Sequence, residues 1–202
     1  GSFSTRMNGL PAEEFPPMPE FSEHNTIKME QAKVKSMLRR TAFAVSVDEN
    51  RYVLNGLFLS FKEKKLTMVA TDGRRLAFTE EETDQPQESS IDIIVPTKAI
   101  QELSRQLEEV GEVEIKITEN QASFNLINEE KEGARVITKL VEGAYPNYKQ
   151  VIPSESKYRV TMDKEDLLHA LRRANIMTSD KANSVKLTFS ENNLLLTSNT
   201  PE

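Results

Sequence analysis

The sequence contains no cysteine, no tryptophan and only two histidines, His24 and His169. The first absence excludes a disulfide framework, and two isolated histidines argue against a histidine-based metal site. No stretch approaches the roughly 18 apolar residues of a membrane-spanning helix, and no basic-then-apolar leader opens the chain. A soluble, cytoplasmic protein without a membrane partner is therefore expected. GxxxxGK, GxGxxG, GxSxG and HExxH are all missing, so the sequence offers no catalytic residues, no cofactor and no metal. Positive charge is also in deficit, with 26 Lys and Arg against 32 Asp and Glu, a net charge of −6. A protein that holds DNA by neutralising phosphates is usually basic. DNA is a partner here only if the cations gather on one surface.

What is present is enough apolar mass, 37% of 202 residues, for one complete domain and parts of others. Residues 1–22 are proline-rich and read as an extended piece and linker. Residues 30–46 form the clearest helix: Val34, Met37, Leu38, Thr41, Ala42 and Val45 recur at helical spacing. Lys33, Lys35, Arg39 and Arg40 fall on its flanks and back, which makes the exposed side basic. Val53 to Phe61 and Leu66 to Thr71 read as a hairpin turning at Lys62–Lys65, with a third strand at Leu76 to Thr79. Asp72-Gly73 marks the second corner, where glycine adopts positive φ without a Cβ penalty and Arg74, Arg75 and Leu76 project.

Glu80 to Ser90 reads as a polar loop and Ile91 to Val95 as a buried strand. A second helix opens at Pro96-Thr97 with Thr97 as N-cap, buries Ile100, Leu103 and Leu107, and presents Lys98 and Arg105 opposite them. Val113 to Thr118 and Ala122 to Ile127 form a hairpin, and Arg135 to Leu140 continues the sheet. After a connector at 146–157, Asp163 and Asp166 cap a third helix, Lys164 to Met177. Strands follow at Ser184 to Ser190 and Asn193 to Ser198, before Thr200-Pro201-Glu202.

The third helix repeats the first. Met29, Leu38, Arg39, Arg40 and Phe43 align with Met162, Leu171, Arg172, Arg173 and Ile176 at one constant offset. Leu66 and Thr71 then align with Leu194 and Asn199, and Leu10, Phe15 and Pro16 with Leu140, Tyr145 and Pro146, at nearly the same offset. The chain reads as the tail of one copy, a whole second copy and the start of a third, an α+β architecture. Recurrent basic helix backs, carrying Lys33, Lys35, Arg39, Arg40, Lys98, Arg105, Arg172 and Arg173, point to an electropositive lining. The tightest acidic cluster, Asp163, Glu165 and Asp166, suits two-metal nuclease chemistry, but acids in a first helical turn are favoured by the dipole alone.

Arg51-Tyr52-Val53-Leu54-Asn55-Gly56, Val69-Ala70-Thr71-Asp72-Gly73-Arg74-Arg75-Leu76-Ala77 and Leu140-Val141-Glu142-Gly143-Ala144-Tyr145-Pro146-Asn147-Tyr148 together resemble the bacterial DNA sliding clamp family, the β subunit of DNA polymerase III. That resemblance implies repeated domains of two helices on antiparallel sheets, closed as a homodimeric ring around duplex DNA held without sequence preference. Residues 1–22 would end one clamp domain, 23–153 form a complete second, and 154–202 begin a third. It also implies a non-enzymatic processivity factor whose partners, DNA polymerase, the clamp loader and repair proteins, dock short linear motifs in a pocket. By motif match that pocket comprises Arg51, Leu54, Thr71, Gly73, Arg74, Arg75, Leu76, Pro146 and Val151. Gln150 stands where an arginine is common in the family, Arg74 where a histidine is common, and the family's extreme C-terminal strand has no counterpart here. A fragment of a longer clamp is expected; a partner-binding adaptor without DNA encirclement is the alternative.

Overall fold

A computed structural model describes residues 1–14, 17–21, 26–128, 131–178 and 184–198. The chain divides into two compact units, Gly1–Val151 and Ile152–Glu202. His24, Phe15, Pro16, Asn199 and Thr200-Pro201-Glu202 lie outside the described residues.

The first unit holds β1 (Thr26–Glu30), α1 (Gln31–Thr41), β2 (Gly56–Thr71), β3 (Leu76–Pro96), α2 (Thr97–Gln106), β4 (Glu112–Ile117), β5 (Gln121–Asn128) and β6 (Lys131–Lys139). Its strands make an antiparallel four-stranded sheet in the order β1-β4-β5-β6 and a separate antiparallel pair β2-β3. Both helices are amphipathic. Val34, Met37 and Leu38 of α1 and Ile100 and Leu103 of α2 share one core with Ile27 and Met29 of β1, Leu59, Phe61 and Met68 of β2, and Val113, Ile115 and Phe124 of the larger sheet. Burial of these side chains, each stabilising by about 1.5–3 kcal/mol, holds the helices on the sheets. Residues 42–44 tighten into a 3-10 turn rather than continuing α1 to residue 46, because Ala42–Val45 must turn the chain toward the 3-10 segment Glu49–Leu54.

Two strand expectations are corrected. Lys62–Lys65 is not a hairpin turn: β2 runs unbroken from Gly56 to Thr71, with register shifts around Glu63, whose φ is 55°. Likewise Glu80–Ser90 is not a loop, and Leu76–Pro96 is one strand. The reason is strand pairing: Leu57–Phe61 and Leu66–Ala70 of β2 pair with Ile91–Val95 and Ala77–Glu81 of β3, and the polar stretches between stay in the ladder through an irregular register, with Lys65 opposite Glu82 and 3.9 Å from Glu80. Val53 and Leu54 belong to the 3-10 segment before β2. Nor does Thr97 cap α2: Pro96 occupies the cap position, and the Thr97 hydroxyl donates to the Asn55 carbonyl at 2.5 Å.

The second unit contains α3 (Lys164–Ile176) and the antiparallel hairpin β7 (Val185–Ser190) and β8 (Asn193–Ser198). The Asp163 carboxylate accepts from the amides of Glu165 and Asp166 at 2.8 and 3.0 Å, a helix cap. That geometry spends one oxygen of the acidic cluster on backbone.

Candidate functional site

The corner between β2 and β3 is held by a set of local hydrogen bonds. The Asp72 carboxylate accepts from the amides of Arg74 and Arg75 at 2.9 and 3.0 Å and from Arg75 Nε at 3.0 Å. These donors hold its carboxyl below the usual carboxylate range, the two backbone bonds contributing most. The Thr71 hydroxyl donates to the Arg75 carbonyl at 2.7 Å and accepts from the Gly73 amide at 3.1 Å. Gly73 takes φ +84°, and the Arg51 guanidinium lies over it, 2.6 Å from where a Cβ would stand. Arg75 Nη2 donates to the Phe43 carbonyl at 2.8 Å, and its guanidinium lies 5.6 Å from the Phe43 ring. One arginine therefore joins the corner to the end of α1, and only part of its fork remains for a ligand.

Behind the corner runs the segment 140–151. The Val141 amide donates to the Ile94 carbonyl at 2.9 Å, which anchors the segment on β3. Tyr145 stacks on Phe58 at 4.9 Å, and Tyr148 lies 6.0 Å from Phe58 and 5.9 Å from Phe78. This aromatic cluster carries Pro146 and the 3-10 turn Tyr148–Gln150 up to the corner. The result is a cavity of about 390 Å³ lined by Leu54, Thr71, Gly73, Arg74, Arg75, Leu76, Pro146, Asn147, Tyr148 and Val151.

All the motif-matched residues except Arg51 line that cavity, and Arg51 packs against its Gly73 wall. Leu54, Leu76, Pro146 and Tyr148 make one side apolar, while Arg74 and Arg75 are exposed at the edge. This is a slot for an apolar side chain with donors at its rim. Asn147 and Tyr148, both in the Leu140–Tyr148 motif, join the cavity wall beyond the motif-matched residues. Phe43 was missed too, since it follows a helix and only its contact with Arg75 ties it to the corner. A larger cavity of about 660 Å³ lies beside β3, but Asp92, Glu119 and Glu142 line it and no cation does.

Tyr145 gives the cluster a spectroscopic handle. Its hydroxyl is shielded from solvent near the Thr71 backbone without a well-directed hydrogen bond, and burial pushes its pKa from 10.0 up to about 12. Because the folded state holds this proton more tightly, the contribution to stability is intact below pH 10 and is lost as pH rises toward 12. Phenolate absorbance across an alkaline titration should show a late step that Tyr145→Phe abolishes, at a cost below about 1 kcal/mol at neutral pH. A titration unchanged by that substitution would refute the assignment.

Lys33, Lys35, Arg39 and Arg40 lie on α1, and Lys98 and Arg105 on α2. Arg39, Arg40, Lys98 and Arg105 are exposed, and Lys33 and Lys35 partly so. Arg172 and Arg173 are exposed on α3 of the second unit.

Residues 28–147 match the family model described as "DNA polymerase III beta subunit, central domain", and residues 149–202 match "DNA polymerase III beta subunit, C-terminal domain". The curated beta sliding clamp of Bacillus subtilis is 33% identical over 205 residues, covering 100% of this chain and 53% of that protein. The beta sliding clamp of Chlamydia pneumoniae is 33% identical over 199 residues, covering 98% and 53%. Among solved structures, the DNA polymerase sliding clamp of Bacillus subtilis aligns with TM-score 0.88 at 32% identity, over 96% of this chain and 51% of that one. A Pseudomonas aeruginosa sliding clamp bound to griselimycin aligns with TM-score 0.85 at 33% identity, over 95% and 51%. The chain thus spans about half the length of the relatives it matches.

Proposed function

The chain belongs to the DNA polymerase III beta subunit family, the bacterial sliding clamps, and we propose that it works as part of a processivity clamp. In this reading the full-length protein is a cytoplasmic homodimeric ring that encircles duplex DNA. It tethers polymerase, the clamp loader and repair proteins by short peptides. Residues 1–22 end one clamp domain, 23–153 form the complete second, and 154–202 open the third. The protein is an accessory factor: its work is to hold partners and DNA, not to break bonds.

The observation that carries the reading is the corner cavity, where an apolar wall and two rim arginines are fixed by backbone hydrogen bonds. A peptide bearing leucine and phenylalanine anchors would seat its apolar side chains between Leu76, Leu54, Pro146 and Tyr148. Its carbonyls or carboxylates would meet Arg74 and the unspent part of Arg75. The griselimycin-bound relative supports a ligand-binding role for this family. An acidic protein can serve as a DNA clamp because a ring is retained by topology and needs only weak phosphate contacts, which also carry no sequence information.

Titration of a fluorescent polymerase-tail peptide onto this chain tests the pocket. Saturable binding should weaken at least about tenfold in Leu76→Ala, the loss expected for an apolar anchor worth about 1.5–3 kcal/mol. Arg75→Ala should weaken it as well, through the rim. Binding untouched by both substitutions would move the site elsewhere. No binding either here or in a version extended through a whole third domain would overturn the peptide-docking role.

A further inference from the structure

Four of the six basic side chains that α1 and α2 present are already paired with carboxylates of their own unit. Lys33 meets Glu30 at 3.1 Å, Lys35 meets Glu109 at 2.8 Å, Arg40 meets Glu81 at 2.6 Å, and Arg105 meets Glu102. Two of these pairs are local, one turn apart on the same stretch. The others are not: Glu109 follows the end of α2, and Glu81 belongs to β3. Lys35 holds Glu109 below the usual carboxylate range, with Arg39 adding to the effect, and Gln106 and Arg105 do the same for Glu102. Glu102 and Glu109 are therefore ionised at neutral pH. Among the described residues, Arg39 and Lys98 have no carboxylate within 4.0 Å.

The cations of these pairs keep 36–73% of their side-chain surface exposed. Pairs so open to water are screened by solvent, so the fold gains little from them. Their larger consequence is on the field of the surface, because a cation half-neutralised by its own carboxylate attracts a phosphate less strongly.

We infer that Glu30, Glu81, Glu102 and Glu109 are built-in counter-ions of the DNA-facing surface, exchanged against backbone phosphates as duplex DNA moves past. This rests on the reading that α1 and α2 face DNA. Each cation passes from carboxylate to phosphate and back, so the number of ion pairs changes little with position along the duplex. Arg39 and Lys98 supply steady attraction, and the other four respond only when a phosphate is near. Such a surface favours mobility over grip, and it reconciles basic helices with weak, non-specific contact.

The test is duplex binding by this chain across a salt series, read by anisotropy of a labelled DNA. Glu30→Gln, Glu81→Gln, Glu102→Gln and Glu109→Gln combined should raise low-salt affinity by at least about tenfold and steepen the log–log salt slope by about 3 to 4, near 0.9 per freed cation. A control carrying Gln at Glu119, Glu142, Glu155 and Glu191, all exposed and outside these pairs, makes the same change in net charge. It should change the slope by less than about 1. Equal gains in both sets, or none in the first, would overturn the inference. Arg39→Ala with Lys98→Ala separates it from the parent reading. If that pair of substitutions weakens binding while the four glutamines do nothing, the helices face DNA but the counter-ion role fails. Indifference to every substitution would overturn both.

Discussion

Gln31→Leu is expected to destabilise the first unit by about 3–5 kcal/mol, the largest effect of any single polar substitution in it. Gln31 is fully buried at the start of α1. Its Nε2 shares its two protons among the carbonyls of Glu112 and Ile127, both at 3.2 Å, and Asn128 Oδ1 at 2.7 Å. Its Oε1 accepts from the Glu108 amide at 2.9 Å, and its own amide donates to the Gly111 carbonyl at 2.9 Å. One side chain thus binds the first turn of α1 to the exit of α2, the start of β4 and the end of β5. Leucine fits the volume but leaves the Glu108 amide and several acceptors unpaired away from water, at about 1–3 kcal/mol for each buried group. Urea unfolding followed by circular dichroism would measure the loss. A change below about 1 kcal/mol would mean that water replaces the amide, and the proposed keystone role would be wrong.

Gly56→Ala should cost about 2–4 kcal/mol, and it should weaken peptide binding as well. The backbone of β2 begins at Gly56 opposite Pro96, and an added Cβ would stand 2.6 Å from Ile94 Cγ2 and 2.7 Å from the Val95 carbonyl oxygen. A side chain can rotate away; a strand carbonyl in a ladder cannot. Relief must come from moving β2 off β3, and the next residues back are Asn55, whose carbonyl accepts from both the amide and hydroxyl of Thr97, and Leu54 of the cavity wall. Stability and peptide affinity should therefore fall together, unlike in Leu76→Ala, where the stability loss is smaller because Leu76 is only partly buried. Gly56→Ala with unchanged stability would show that the strand pair yields locally.

The two units differ in how their helices are started, and the sequence anticipates only one. Asp163 caps α3 by the usual short side chain reaching the next amides. At α1 the residue before the helix is Glu30, which makes no side-chain cap, and the anchoring is done by Gln31 through partners more than seventy residues away. A buried glutamine inside an amphipathic helix carries no local mark that distinguishes it from a solvated one.

Local physics was readable throughout the chain. Helical spacing located α1 and α2 and the stripes they bury, the Asp163 cap and the repeat located α3, alternation located the β4–β5 hairpin, and Asp72-Gly73 located a corner because positive φ is a property of the residue itself. Motifs that lie far apart in the chain identified eight residues that the fold brings to one cavity. Tertiary structure alone decided the rest, because the deciding partner was distant. Lys62–Lys65 reads as a turn and Glu80–Ser90 as a loop until β2 and β3 pair along their length, with Lys65 opposite Glu82. Tyr148 becomes a cavity wall only when Phe58 and Phe78 support it, and Lys35 and Arg40 on the back of α1 are partly neutralised only when Glu109 and Glu81 arrive from other elements. Charge and polarity in a sequence describe what a segment offers; whether that is spent on water, on a neighbour or on a ligand is set by what folding brings against it.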